Sequence, residues 1–536
     1  MKTHLAGVFF FCVVIISYLT KYTIPKIISG EGGVMTQPIY ESLRFNRNKL
    51  KFCDSVKANC KTDIKSKDVL KVLNVSATAF ATQTEIKDQS VKVGGRIIFF
   101  ATYLNTEGEV KKCECGSEIL AVFSDEAVTK DMHSTSTAMV EKTERATDGE
   151  YLTLSAIVKV CVSLVGEEDV QAFTGGEGLI TDKCEITYDK TFAQDKGAYP
   201  FDEEFDLPYL IGEVLSQSVG VSVSAVQCGV GSVIVDGEIY FSALLLQKGG
   251  KSDIIREDKT IPFRIELDSQ EAMPSMSATS MLSVKSFKTD IACTEEENKS
   301  AVTLYIDFVY ENRVFAKTSA EIVADAFCEQ EEIEVIPTEC VLDYAKEVRL
   351  IKKTISGRAE TEELPIGARL TAVSGEKIEL TSVICENAKI KVEGAFSLTA
   401  YYKDSEADVF TFNVEIPFET VLDTPDVGND ATVLAVIERA SAKTHSITQT
   451  EIMAEVAFSV YPTEQKTVKI IKEVKSIGER QPEKSAISVY IPFAGEKLWS
   501  LAKRLGVSPE QVLKSNPDLQ FPLTGDERIV IYRGVN

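Results

Sequence analysis

Histidines, paired cysteines and glycine-rich phosphate loops are common ingredients of active sites, and this chain carries few of them. Its three histidines, His4, His133 and His445, stand far apart in the sequence. None accompanies a Gly-x-Ser-x-Gly elbow or a His-Glu-x-x-His pattern, so neither acyl transfer nor zinc hydrolysis has its residues in place. His133 and His445 fall in polar stretches that read as loops. Cys113 and Cys115 flank a single residue without a second cysteine pair at zinc spacing, and alternate positions on one strand face account for them. Gly249-Gly250-Lys251-Ser252 ends like a phosphate loop, but the leading glycine would have to be Leu245, inside a strand-like run. A hairpin turn fits that segment better. Among 81 Asp and Glu no carboxylate pair stands out for acid–base work. The expectation is a protein with no catalytic residues, no metal ligands and no cofactor, whose chemistry is docking.

Composition narrows the partner. A net charge of −23 argues against nucleic acid, because phosphate binding needs a basic face. With 44% hydrophobic and 26% charged residues the chain has the balance of a globular protein, and 536 residues suggest roughly three to five domains. The twelve cysteines are scattered rather than dense, which reads as reduced thiols in a cytosol instead of a disulfide framework.

The elements that would position a docking surface are clearest at the C-terminus, residues 486–533. Val489 to Ile491 read as a short strand ended by Pro492. Gly495 then turns the chain into a helix with Leu498, Leu501, Ala502 and Leu505 on one face, spaced i, i+3, i+4, i+7. Gly506 stops it. Ser508, Pro509 and Gln511 have the N-cap, first-turn proline and capping-box spacing of a second helix, whose Val512 and Leu513 face the first. Asn516-Pro517 ends that helix, and Ile529 to Tyr532 return as a strand. The product is βααβ, a small α/β module. It carries a net charge of +1 in a chain of −23. Trp499, the only tryptophan, sits beside the apolar stripe, either sealing this small core or anchoring a partner.

Ahead of the module lies a repeat. Val93-Gly94-Gly95 to Tyr103, Val235-Asp236-Gly237 to Leu245 and Val392-Glu393-Gly394 to Tyr402 share valine, glycine and alanine at matching places, with apolar residues on alternate positions. Period two means a strand with one buried face, and the glycine on that face fits a bulge or a close backbone approach. The neighbours recur too: Ile119-Leu120, Ile261-Pro262-Phe263 and Ile416-Pro417-Phe418 follow their glycines by 24, 24 and 22 residues. The copies stand 142 and 157 residues apart, too far for a solenoid, so each is expected to be a β-sandwich-like domain with its own core. The expected boundaries are 55–170, 195–328 and 336–470, with a linker at 471–485.

The segment GEKLWSLAKRLGVSPEQVLKSNP resembles the LysM family, and VEGAFSLTAYYKD followed by VEIPFETVLD resembles the SPOCS domains of SipL-like spore coat proteins. The resemblance covers most of residues 55–470 and is loosest in the first copy, where Cys113-Glu114-Cys115 replaces the usual acidic lead-in. It implies a mainly β chain of three SPOCS domains and a LysM domain. The carried-over LysM groove is Gly495, Glu496, Lys497, Leu498, Asn516, Pro517, Asp518 and Leu519, with Trp499 beside it. LysM modules bind N-acetylglucosamine glycans, but here Gly495-Glu496-Lys497 replaces the usual Gly-Asp-Thr, and Thr524-Gly525-Asp526 replaces Pro-Gly-Gln. The resemblance therefore implies a scaffold in the mother-cell cytoplasm at the forespore surface, docking onto spore coat proteins and above all a SpoIVA-like ATPase. The alternative is a membrane-anchored reader of peptidoglycan glycan.

That alternative draws on the N-terminal segment 1–34. Leu5 to Thr20 is apolar and uncharged, and residues 5–28 would serve as a single-pass anchor. Glu31-Gly32-Gly33-Val34 before Met35 could equally be a translated ribosome-binding site, making Met35 the start, so a membrane role holds only if residues 1–34 are translated.

Overall fold

Alternating apolar and polar residues dictate strands with one buried face, and the structure is mainly β, as the sequence led us to expect. The computed structural model describes residues 38–533 apart from 149, 250–252, 362, 366, 387, 407, 426–427 and 482–484. The apolar segment 1–34, Met35, His4 and the Gly250-Lys251-Ser252 end of the glycine-rich turn lie outside the described residues.

The first copy of the repeat comprises β1 (Pro38–Lys65), β2 (Val69–Lys87), β3 (Ser90–Asn105), β4 (Val110–Ser124), β5 (His133–Asp148) and β6 (Tyr151–Gly176). They form two antiparallel sheets, ordered β2–β3–β4 and β1–β6–β5. The second copy repeats that order with β7 (Leu179–Leu207), β8 (Ile211–Cys228), β9 (Ser232–Gln247), β10 (Ile254–Asp268), β11 (Ser277–Thr294) and β12 (Lys299–Cys328). In the third, the first long strand is split into β13 (Glu331–Ala345) and β14 (Arg349–Glu360). β15 (Arg369–Glu386), β16 (Lys389–Lys403) and β17 (Val409–Asp423) form one sheet, and β18 (Asp430–Ser446) and β19 (Gln449–Glu479) complete the other.

The repeated glycine sits on the central strands β3, β9 and β16, and its role is steric. A Cβ on Gly95, Gly237 or Gly394 would lie 2.3, 2.1 or 2.1 Å from the carbonyl oxygen of Phe80, Ser222 or Glu379 on the neighbouring strand. Each is matched by a register shift in that neighbour, at Ala81/Gln83, Val223/Ala225 and Leu380/Ser382. Bulge and glycine together bend the sheet over its core.

Side chains of the two sheets meet in one core per copy, around Phe99 and Leu154 in the first and Phe396 and Phe458 in the third. The second core does not stop at its own strands. It takes in Phe80, Ile98 and Phe100 from the first copy and Val348 and Tyr461 from the third. Leu73, Leu215 and Ala372, equivalent by the repeat spacing, also meet in a single cluster. The copies are therefore fused through shared apolar clusters, where each was expected to have its own core. Polar groups cross the same joints. Arg256 of β10, its side chain 9% exposed, pairs with Asp258 of its own strand at 2.6 Å and with Glu376 of β15 at 3.0 Å.

β1, β6, β7, β12 and β19 run for 26 to 31 residues, against about 5–6 for an ordinary strand. Beyond the two-sheet bodies they continue as two-stranded ribbons: β1 with β6, β7 with β12, and β13 with β19. The three ribbons pack along one another through Val170, Ile186, Ile322, Cys340, Leu342 and Ile470, and nearer the tip through Phe173, Val323, Ala326 and Ile471. Most of 171–194 and 331–335, which the sequence left between domains, and residues 471–479 of the expected linker are thus ladder residues. Each ribbon buries only a narrow stripe, so the rest of its sequence is polar and reads as loop.

One cysteine expectation is corrected. Cys53 of β1 and Cys161 of β6 stand directly opposite each other with Cα atoms 4.1 Å apart and form a disulfide. They are 108 residues apart in sequence, and only the β1–β6 register shows the pairing.

Candidate functional site

The C-terminal segment forms β20 (Ile487–Tyr490), α1 (Leu498–Leu505), α2 (Pro509–Ser515) and β21 (Ile529–Tyr532), with β20 and β21 antiparallel. Leu501, Ala502, Val512, Ile529 and Ile531 are its buried core. Gly506 takes the left-handed conformation, φ 64°, that ends α1. Ser508 caps α2 by accepting from the Gln511 amide at 3.2 Å.

Two details depart from the sequence reading. Gln511 does not complete the capping box; its side-chain amide donates to the Tyr532 carbonyl at 2.9 Å. Glu329, at the tip of the second ribbon, accepts from the Ser508 amide in its stead. Leu513 does not face α1 but is 41% exposed, because the module is too small to cover both Val512 and Leu513.

The nine residues singled out from the sequence divide by role. Glu496 is buried, and its carboxylate accepts from Arg504 Nε and the Phe493 amide at 2.9 and 3.0 Å. Burial raises its pKa, but these donors outweigh burial and hold it below the usual range. Asn516 clamps α2 to β21, donating to the carbonyls of Val512 and Val530 and accepting from the Val530 amide at 2.8 Å. Leu498 and Leu519 pack against the module core. Gly495 makes the turn into α1 at φ +83°, and Lys497, Pro517 and Asp518 are exposed.

Trp499 looks inward. Its indole N–H donates to Asp325 Oδ2 at 2.8 Å, and its ring meets Phe327 edge-on at a centroid distance of 5.2 Å. Lys503 pairs with the other oxygen of Asp325 at 2.6 Å. Arg480 reaches the Lys503 and Arg504 carbonyls and the Cys328 carbonyl. These contacts seat α1 on the second ribbon, so Trp499 neither merely seals the module nor stands free for a partner.

What stands free is a surface the sequence reading missed. Ile487, Val489, Ile491 and Phe493 are 58–65% exposed on alternate positions, and Tyr532, paired with Ile487, is 56% exposed. They form an apolar row along the outer face of β20, the three residues that follow it and the end of β21, with the Arg504 guanidinium 4.7 Å above the Phe493 ring. The signal was present in Ile487-Ser488-Val489-Tyr490-Ile491-Pro492-Phe493, where the more apolar alternate set, Ile487, Val489, Ile491 and Phe493, is the one left exposed while Ser488 turns inward.

Elsewhere, His133 begins β5 rather than lying in a loop, and burial together with Lys196 lowers its pKa. His445 ends exposed on β18. A hollow of about 360 Å³ between the second and third ribbons is lined by Lys317, Lys346, Lys466, Glu185 and Glu464, and carries neither histidine nor cysteine. No helix among the described residues is long and apolar enough to cross a membrane.

No family model matches the chain, and neither a curated protein nor a solved structure matches it.

Proposed function

We propose that this chain is a non-enzymatic scaffold of the spore coat, in which the three copies are SPOCS domains and residues 486–533 are a LysM domain serving as a protein-docking head. The observation that carries the reading is the apolar row of Ile487, Val489, Ile491, Phe493 and Tyr532, left open on a module otherwise fixed to its support. Contiguous exposed apolar surface with a polar rim is the mark of a protein contact. Glu496 and Asn516, which would line the family's glycan groove, spend their polar groups inside the module, and exposed Lys497 replaces the family's small hydroxyl. The head is seated on the second copy's ribbon, and the net negative charge of the chain lies in the three copies, whose surfaces would meet other coat proteins so that several modest contacts add through effective concentration.

The proposed partner of the head is a SpoIVA-like ATPase at the mother-cell face of the forespore. The test is capture of that purified ATPase by the full chain and by its Val489→Asp variant. The scaffold reading expects capture by the former alone. Retention on peptidoglycan without capture of the ATPase would overturn it in favour of a glycan reader. Lys497→Thr should then strengthen glycan retention.

A further inference from the structure

In the first copy, the two sheets are joined along one side by side chains alone. β1 and β4 are both edge strands of their sheets, and no backbone ladder joins them. Cys60 of β1 lies across this seam with its Sγ 3.4 Å from the Gly116 carbonyl of β4. Cys115 immediately precedes Gly116 on β4, and Cys60 and Cys115 both pack against the core of this copy. Both side chains are partly accessible, while Cys113, two residues before, is buried. The cluster does not offer a metal ion three placed ligands. Further along, β1 already carries the Cys53–Cys161 disulfide that ties it to β6.

We propose that Cys60 and Cys115 are an oxidative cross-linking site, closing the β1–β4 seam with a disulfide when a disulfide oxidant reaches it. The Cys60 thiolate attacks one sulfur of the oxidant, forms a mixed disulfide and expels one thiolate, which takes up a proton. The Cys115 thiol then loses its proton, attacks the Cys60 sulfur and releases the second oxidant thiol. Two protein thiols are oxidised and one disulfide is reduced to two thiols. The division of roles follows from the surroundings. Burial, and then the neighbouring Cys60 thiol, push the Cys115 thiol up, so it holds its proton and suits the second step. Cys113 is pushed up to about 11 by burial and by Asp63, and its sulfur faces the core. Cys60 can be reached from outside.

The experiment treats the full chain with oxidised glutathione and maps tryptic peptides without reduction. Cys113 and Cys115 share one tryptic peptide, so Cys113→Ala, Cys115→Ala and Cys60→Ala variants are run in parallel, with circular dichroism to show that each folds. The expected result is a peptide pair joining Cys60 to Cys115, loss of two titratable thiols, and a higher melting temperature. All three should persist in Cys113→Ala and vanish in Cys115→Ala and Cys60→Ala. A glutathione adduct left on Cys60, a link to Cys113 or to Cys53, or no loss of thiols overturns the proposal.

Discussion

Replacing Asp325 by alanine should loosen the C-terminal module on the second ribbon while leaving both folded. Asp325 accepts the Trp499 indole hydrogen at 2.8 Å and pairs with Lys503 at 2.6 Å. A hydrogen bond to a charged acceptor is worth about 1.5–3 kcal/mol. The Lys503 pair, with side chains 41% and 30% exposed, is screened and adds only about 0.2–1 kcal/mol. Together the loss is roughly 2–4 kcal/mol, which at about 1.4 kcal/mol per decade shifts the docked-to-undocked ratio by roughly 30- to 700-fold. The Phe327 edge contact and the Arg480 bonds remain, so the module becomes loosely tethered rather than free. Because Trp499 is the only tryptophan, its emission reports this joint without a label. In Asp325→Ala the emission should move to longer wavelength and acrylamide quenching should rise in buffer. In guanidinium, the Trp499 signal should change well before the far-ultraviolet signal of the strands, whereas in the parent chain the two should lie closer. Unchanged emission and quenching in Asp325→Ala would refute the docked arrangement.

Three further outcomes follow from the packing and the charges. Gly394→Ala puts a Cβ 2.1 Å from the Glu379 carbonyl and 2.8 Å from the Phe418 ring, so it should cost about 1–3 kcal/mol in urea unfolding, with Gly237→Ala behaving alike. A loss below the error of the fit would show that the strand relaxes freely. Arg256→Met strands the carboxylates of Asp258 and Glu376 and should cost about 3–5 kcal/mol, much of it recovered when both carboxylates are also made leucine. Failure of that rescue would mean the cluster acts by shape rather than charge. Burial raises the Asp189 pKa against the pull of the Ala345 amide and Arg313, and its Oδ1 has no hydrogen-bond partner. The stability tied to its proton is full below the unfolded value of about 3.9 and is lost as pH rises through the raised folded value. Asp189→Asn should therefore gain on the parent chain in thermal midpoint between pH 4 and pH 7, and a gap independent of pH would contradict this.

Local pattern made some of this architecture legible and left the rest out of reach. The βααβ order could be read because Leu498, Leu501, Ala502 and Leu505 keep helical spacing and Gly506 and Ser508 punctuate it. The repeated glycine could be read because its steric demand is met by a neighbouring strand in every copy. What could not be read depends on residues far away in sequence. Glu329 caps the second helix 179 residues before Ser508, and Asp325 holds Trp499 from 174 residues away. Cys53 meets Cys161 only through the register of β1 on β6. The ribbons were missed because each presents a thin apolar stripe amid charges, so a residue such as Lys183 looks like linker although it is a ladder residue of β7 ion-paired with Glu321 of β12. Within the candidate site, the resemblance pointed to residues 495–499 and 516–519, while the open apolar face is the one formed by Ile487, Val489, Ile491 and Phe493.

The docking role is tested most directly by measuring binding of the full chain to a purified SpoIVA-like ATPase and, separately, to N-acetylglucosamine oligomers. Saturable binding to the ATPase is expected, abolished in Val489→Asp with the Trp499 emission unchanged, together with no binding to the oligomers. Oligomer binding that survives Val489→Asp and falls when Pro517 or Asp518 is changed would contradict it.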